Sequence, residues 1–184
     1  MNLKNQFKYV LICAFICQIF PAAGCISHLF DESKPYENDK FGFSLRYPKL
    51  WLVNDTEFMD TAVVLVSPSP KEGFKPNINV FVRDPEGLNL SEYVSKSKTG
   101  LDSDIPQIGY KLKKFISEGK SLLGKYKGSQ LSYIFSKEGI DLQARSIYYL
   151  DGEKVYILTA TAKSGDFEKY EKDFSTIVNS FRIN

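Results

Sequence analysis

Cysteine and histidine are the scarcest chemistry in this chain. Its 184 residues carry three Cys and one His. Cys13 and Cys17 lie in an apolar N-terminal run, and Cys25 follows it closely. Cleavage just before Cys25 would leave residues 25–184 with one thiol. That excludes an intramolecular disulfide and a cysteine-built zinc site. The single histidine, His28, sits beside that thiol in a polar stretch. Ser–His and Cys–His catalysis need a base next to the nucleophile, so that class has no candidate pair. A surplus of one charge sign is also missing. Basic residues outnumber acidic ones 24 to 22, and Lys4 and Lys8 belong to the N-terminal run. The balance that remains lacks the basic excess that neutralises phosphates, which excludes a nucleic-acid binder. A membrane span needs roughly 20 apolar residues, and the stretch 9–20 offers about 12. Gly119, Gly124 and Gly128 lead to no Gly-Lys-Ser/Thr end, so no phosphate loop is present, and they read as turns or bulges.

What is there begins with an address. Lys4 and Lys8, the short apolar run and Pro21-Ala22-Ala23-Gly24 have the layout of a secretory signal, basic, then apolar, then small. Cys25 directly after the small residues predicts a lipoprotein signal over 1–24, with the Cys25 thiol taking lipid. Plain secretion with cleavage near Ala23 or Gly24, and an uncleaved anchor, are the alternatives. The expected location is the outer, extracytoplasmic face of a cell membrane. Residues 25–39 are polar and read as a tether, about 20 Å between its ends if flexible. Residues 40–184 form one domain of ordinary size, able to fold through its core alone.

Within that domain the periodicity alternates between two kinds. Phe41–Tyr47, Ala62–Val66 and the stretch with Ile78, Val80 and Val82 predict three strands. Asn89 and Glu92 make a capping-box pair at the head of a helix that Gly100 is expected to stop. Four strands follow, over about 111–117, 129–136, 141–150 and 155–162. Asp151-Gly152 is the hairpin signal, with Tyr148, Tyr149, Tyr156 and Ile157 able to pair across it. A closing helix, capped by Ser164, carries an apolar stripe of Phe167, Tyr170, Phe174, Ile177, Val178 and Phe181. Strands broken by helices in this order predict an α+β fold, an antiparallel β-sheet with helices packed on it.

Two kinds of surface chemistry deserve weighing. Asp55-Thr56-Glu57 and Asp102-Ser103-Asp104 offer oxygens to a hard cation, but neither continues into a Gly-bearing calcium loop, so they read as solvated acids. No metal and no cofactor is expected. Residues 110–127 hold Lys111, Lys113, Lys114, Lys120, Lys125 and Lys127 against the single acid Glu118. On a tethered domain this stretch can contact anionic headgroups or an acidic partner. The bland alternative is a lysine-decorated edge strand that resists aggregation.

Phe41-Gly42-Phe43-Ser44-Leu45-Arg46-Tyr47-Pro48 with Trp51, and the closing helix with Asn179-Ser180-Phe181, resemble the two ends of PsbP-like domains. The resemblance spans residues 36–183. It implies an α-β-α sandwich around an antiparallel sheet, frequent lipoprotein status and no known enzymatic activity. Gly42-Phe43 and Leu50 stand where cyanobacterial members usually have Gly-Tyr and a Gly. The expectation is therefore a non-catalytic, lipid-anchored binding or scaffolding module with an unknown extracytoplasmic protein as partner. The alternatives are a photosystem II extrinsic or assembly protein of PsbP type, and a hydrolase relying on acidic residues or a metal.

The lipid address has a direct test. Cys25→Ser is expected to move the protein from the membrane to the soluble fraction, because stable anchoring takes two acyl chains and the variant has none. Mass spectrometry of the native N-terminal peptide should show an acylated Cys25; an unmodified thiol there would end the lipoprotein assignment.

Overall fold

The computed structural model describes residues 33–57, 61–103, 109–123 and 126–184. The signal expected over 1–24, Cys25, His28, Asp104, Gly124 and Lys125 lie outside the described residues. The described part is built on a seven-stranded antiparallel sheet: β3 (Leu52–Asn54), β4 (Val63–Val66), β5 (Asn77–Arg83), β6 (Lys111–Leu123), β7 (Tyr126–Lys137), β8 (Ile140–Asp151) and β9 (Lys154–Lys163). Their spatial order is β3-β4-β5-β9-β8-β7-β6. A second antiparallel sheet pairs β1 (Ser33–Asn38), β2 (Phe43–Pro48) and β10 (Arg182–Ile183), in the order β1-β2-β10.

Alternation along the central strands sorts side chains onto two faces. Leu131, Tyr133 and Phe135 of β7 and Tyr148 of β8 go to one core, beneath helix α1 (Leu90–Ser103) with its Tyr93, Val94 and Leu101. Ile147 and Tyr149 of β8 and Ile78 and Val80 of β5 go to the other. There they meet the small sheet and helix α2 (Glu171–Ser180). The result is the expected layered α+β arrangement, with the large sheet between two covers.

The capping box forms as the sequence implies. Asn89 N–H donates to Glu92 Oε2 at 2.9 Å, and Glu92 N–H donates to Asn89 Oδ1 at 3.1 Å. Gly100 does not end the helix, which continues to Ser103; Gly100 is buried on its inner face, where a small residue lets the helix lie close to the sheet. The hairpin pairs are also as expected, Tyr148 opposite Ile157 and Tyr149 opposite Tyr156.

Three expectations change. The second half of the tether expected over 25–39 is a strand, Ser33–Asn38, in register with β2 from Pro48 to Phe43, so folded structure begins before residue 40; residues 25–32 lie outside the described residues. This strand is polar because it lies at a sheet edge, where only Tyr36 packs against a core. The closing helix is two pieces, a 3-10 turn at Phe167–Tyr170 and then α2. Ser164 does not cap it; Asp166 precedes the turn, without a side-chain cap bond. The tighter turn brings Phe167 and Phe174 to 5.2 Å between ring centroids, both buried.

The short motifs at the two ends of the domain meet in space. Phe181 is fully buried and stacks on Phe43 at 5.3 Å and on Tyr149 at 6.3 Å, with Tyr156 edge-on at 5.7 Å. Ser180 Oγ accepts from Arg46 N–H at 2.8 Å, pinning the end of α2 to β2. Trp51 packs edge-on against Phe174 at 6.0 Å and donates its indole N–H to Asp173 Oδ2 at 3.1 Å. Truncating a buried aromatic typically costs 3–5 kcal/mol. Phe181→Ala is therefore expected to lower stability by about 3–5 kcal/mol in urea unfolding. A loss under about 1 kcal/mol would mean that the third layer does not rest on this ring.

Candidate functional site

The lysine-rich stretch becomes β6, one of the two outer strands of the large sheet. Its pairing with β7 is interrupted twice, between Leu112 and Lys114 and between Phe115 and Ser117. Each interruption inserts one residue and shifts the alternation. Leu112 and Phe115 face the α1 side, opposite Phe135 and Tyr133. Lys111 and Lys114 pair with Ser136 and Ile134, on the opposite face. After the second bulge, Lys120 pairs with Ser129 and returns to the α1 side, which it shares with Lys127 of β7. The structure thus gathers the lysines along one edge but divides them between two faces.

Their electrostatic situations differ. Lys113 is held by Asp141 Oδ2 at 2.7 Å. The one acid of the stretch, Glu118, is met by Lys98 of α1 at 2.9 Å, while Lys98 also lies 5.1 Å from the Phe115 ring centre. Lys111, Lys114, Lys120 and Lys127 form no ion pair among the described residues. Exposed pairs contribute little to stability, so the excess positive charge here has no evident folding role. Ile116, in the second bulge, is 46% exposed.

On the face away from α1, the regular half of β6 presents Ser117, Gly119 and Ser121, a low profile. The reason lies one strand in. Tyr149 of β8 lies over Gly128 of β7 and reaches β6, where its hydroxyl is 3.0 Å from Ser121 Oγ. A Cβ on Gly128 would stand 2.5 Å from Tyr149 Cε1 and 2.7 Å from the Tyr148 carbonyl oxygen. Gly128 is thus a bed for a ring, not the turn or bulge its spacing implied. Burial pushes the Tyr149 phenol above its ordinary range. The only sequence signal was a glycine inside a strand pattern, which can mark a close approach.

The acidic candidates do not converge. Glu57 pairs with Lys40, and Asn54 Oδ1 takes the Thr56 N–H and hydroxyl within a local turn. Asp102 is exposed near the end of α1. Among the described residues, no group of three or more His, Cys, Asp or Glu is placed to hold a metal.

Sequence reasoning also missed a buried polar row under α1. Asn79, Thr159 and Ser146 lie side by side on β5, β9 and β8. Ser146 Oγ is 2.9 Å from Thr159 Oγ1 and 3.4 Å from Tyr133 OH. Burial pushes the Tyr148 phenol up to about 12. Asn77 and Asn79 alternating with Ile78 and Val80 were the available signal, since polar residues inside a strand between apolar ones must find internal partners.

The PsbP-like protein family model matches residues 30–183. No curated protein matches the chain. Among solved structures, the cyanobacterial PsbP protein CyanoP of Synechocystis sp. PCC 6803 is similar with a TM-score of 0.64 and 14% identity, over 88% of this chain and 98% of that one. LpqN of Mycobacterium tuberculosis, involved in cell envelope biogenesis, gives 0.57 and 15%, over 83% and 91%. A Pseudomonas aeruginosa protein of unknown function gives 0.55 and 18%, over 80% and 94%. At these identities the likeness is one of fold.

The flat region beside β6 depends on Gly128. Gly128→Ala is expected to destabilise by about 1–3 kcal/mol, the usual range for overpacking, because moving the ring relieves only one of two clashes. Urea unfolding with tyrosine fluorescence checks it; unchanged stability would show that the β7 backbone yields without cost.

Proposed function

This chain belongs to the PsbP-like protein family, and on that premise we propose that it is a non-catalytic binding or scaffolding module, held by lipid on Cys25 at the extracytoplasmic face of a cell membrane. The observation that carries the binding role is the basic edge of the large sheet. Lys111, Lys114 and Lys120 stand there without ionic partners among the described residues, on a chain whose charge is otherwise balanced. The signal layout supports the location. The setting of LpqN, cell envelope biogenesis, is compatible with it.

The physical case is one of local concentration. A domain on a short tether meets its neighbours at an effective concentration far above its bulk value, so a weak electrostatic face suffices for selective contact. Lysines on long flexible stems present charge without fixed geometry, which suits contact with varied anionic groups. Lys113 contributes less, because Asp141 already holds it.

Replacing Lys111, Lys114 and Lys120 together by Glu is expected to leave the fold intact, since exposed substitutions usually stay within about 0.5 kcal/mol each. Retention on immobilised polyglutamate and flotation with phosphatidylglycerol vesicles should both fall at low salt. The difference between parent and variant should vanish at high salt, where screening is strong. Equal low-salt binding by the two proteins on both supports would return these lysines to edge protection alone.

A further inference from the structure

We propose that the regular half of β6, Ser117–Leu123, accepts an extended acidic segment of a partner protein as an added strand. This inference rests on the reading of the lysine edge as a binding surface and names how that surface is used. Three observations carry it. First, β6 is a terminal strand, and no described strand pairs with its outer side. Its outer backbone N–H and C=O groups are therefore a template for another strand. Second, the two register shifts lie before Ser117, and from Ser117 to Leu123 the pairing with β7 runs without interruption. That is a straight strip of about 20 Å at the usual rise per residue. Third, Lys114 and Lys120 flank and occupy this strip on opposite faces of the sheet.

The third observation selects the ligand. A flat anionic surface laid on either face would meet only half of the charges. A strand added at the edge projects its own side chains alternately to both faces, so acids at positions of both parities reach both sets of lysines. It also bonds the outer backbone groups, which lipid headgroups cannot do in register. A second copy of this chain fits poorly. Two β6 strands side by side would bring lysine rows together, and like charges facing each other across a ladder are destabilising. The low relief of Ser117, Gly119 and Ser121 leaves room for partner side chains on that face. The bulged half, with Lys113 tied to Asp141, deters non-specific pairing and limits where a strand can land.

The test uses the full-length protein in detergent and two synthetic peptides of about nine residues, long enough to cover the strip. One has glutamates at positions of both parities; the other is the same sequence with consecutive central amides N-methylated. The first should bind at low salt and protect backbone amides of Ser117–Leu123 from hydrogen exchange. N-methylation, which keeps the charge but removes the donors, should weaken binding at least tenfold. Lys114→Glu with Lys120→Glu should weaken the first peptide at least tenfold, and Lys114→Gln with Lys120→Gln should do so less. Circular dichroism confirms that each variant is folded. Equal binding of both peptides would overturn strand addition, while the basic-edge reading stands if charge reversal weakens both. Binding to phosphatidylglycerol vesicles but to neither peptide would overturn it in favour of lipid. Self-association by sedimentation, with the same amides protected, would overturn it in favour of a second copy. If no probe binds at low salt, the edge proposal and the binding function fall together.

Discussion

The contact between Phe43 and Phe181 is the constraint on which the rest of this structure depends. The two rings come from opposite ends of the folded chain and stack at 5.3 Å, fully buried. Around them close Tyr149 and Tyr156 from the large sheet. One cluster therefore fastens three bodies together: the small sheet, the C-terminal helix and the seven-stranded sheet. Aromatic pairs of this kind contribute beyond the area they bury. In a domain with no disulfide to close the chain, such long-range apolar contact is what holds the ends. The hydrogen bond from Arg46 N–H to Ser180 Oγ fixes the angle at which α2 arrives.

Placing that third layer over the centre of the sheet has a consequence at its margin. The small sheet and α2 lean on β4, β5, β8 and β9. On this side β6 and β7 present Ser117, Gly119, Ser121, Gly128 and Ser132, with Tyr126 and Ile134 as the larger side chains. Tyr149 bridges the two regions, stacked on Phe181 at one end and reaching Ser121 at the other. On this face the lysine edge is tied to the core through that ring, and on the other face through Leu112 and Phe115. Lys111, Lys114, Lys120 and Lys127 are available for contact because no ion pair among the described residues engages them.

The family likeness has the same physical content. At 14–18% identity, what this chain shares with its structural neighbours is the layering. The residues that resemble the family are those that join the layers: Phe43, Trp51, Ser180 and Phe181. All four are engaged inside the fold, three of them buried and Ser180 bonded to Arg46, and this is why such motifs identify a fold and leave the partner open. Chemistry specific to each member must sit on edges and loops.

Much of the architecture was legible from local pattern. Period-two alternation located the central strands, Asn89 and Glu92 located the head of α1, and Asp151-Gly152 located the β8–β9 hairpin with its correct cross-strand pairs. These signals are local because side-chain period, cap geometry and turn conformation involve residues a few positions apart. The six lysines between Tyr110 and Lys127 were equally visible as a charge bias. What the chain alone left undecided were the features that need a distant partner. Ser33–Asn38 is polar and becomes a strand only because β2 lies beside it. The helix after Lys163 breaks into two pieces because Phe167 and Phe174 must both reach one core. Gly128 is explained only by a ring from the neighbouring strand. The bulges of β6 decide which lysine faces which side, and they arise from pairing with β7, not from β6 itself. Sequence determined the central strands, the head of α1 and where the charge lies; tertiary packing decided whether the polar N-terminal segment pairs and which face each charge occupies, because register is set between strands and not within one.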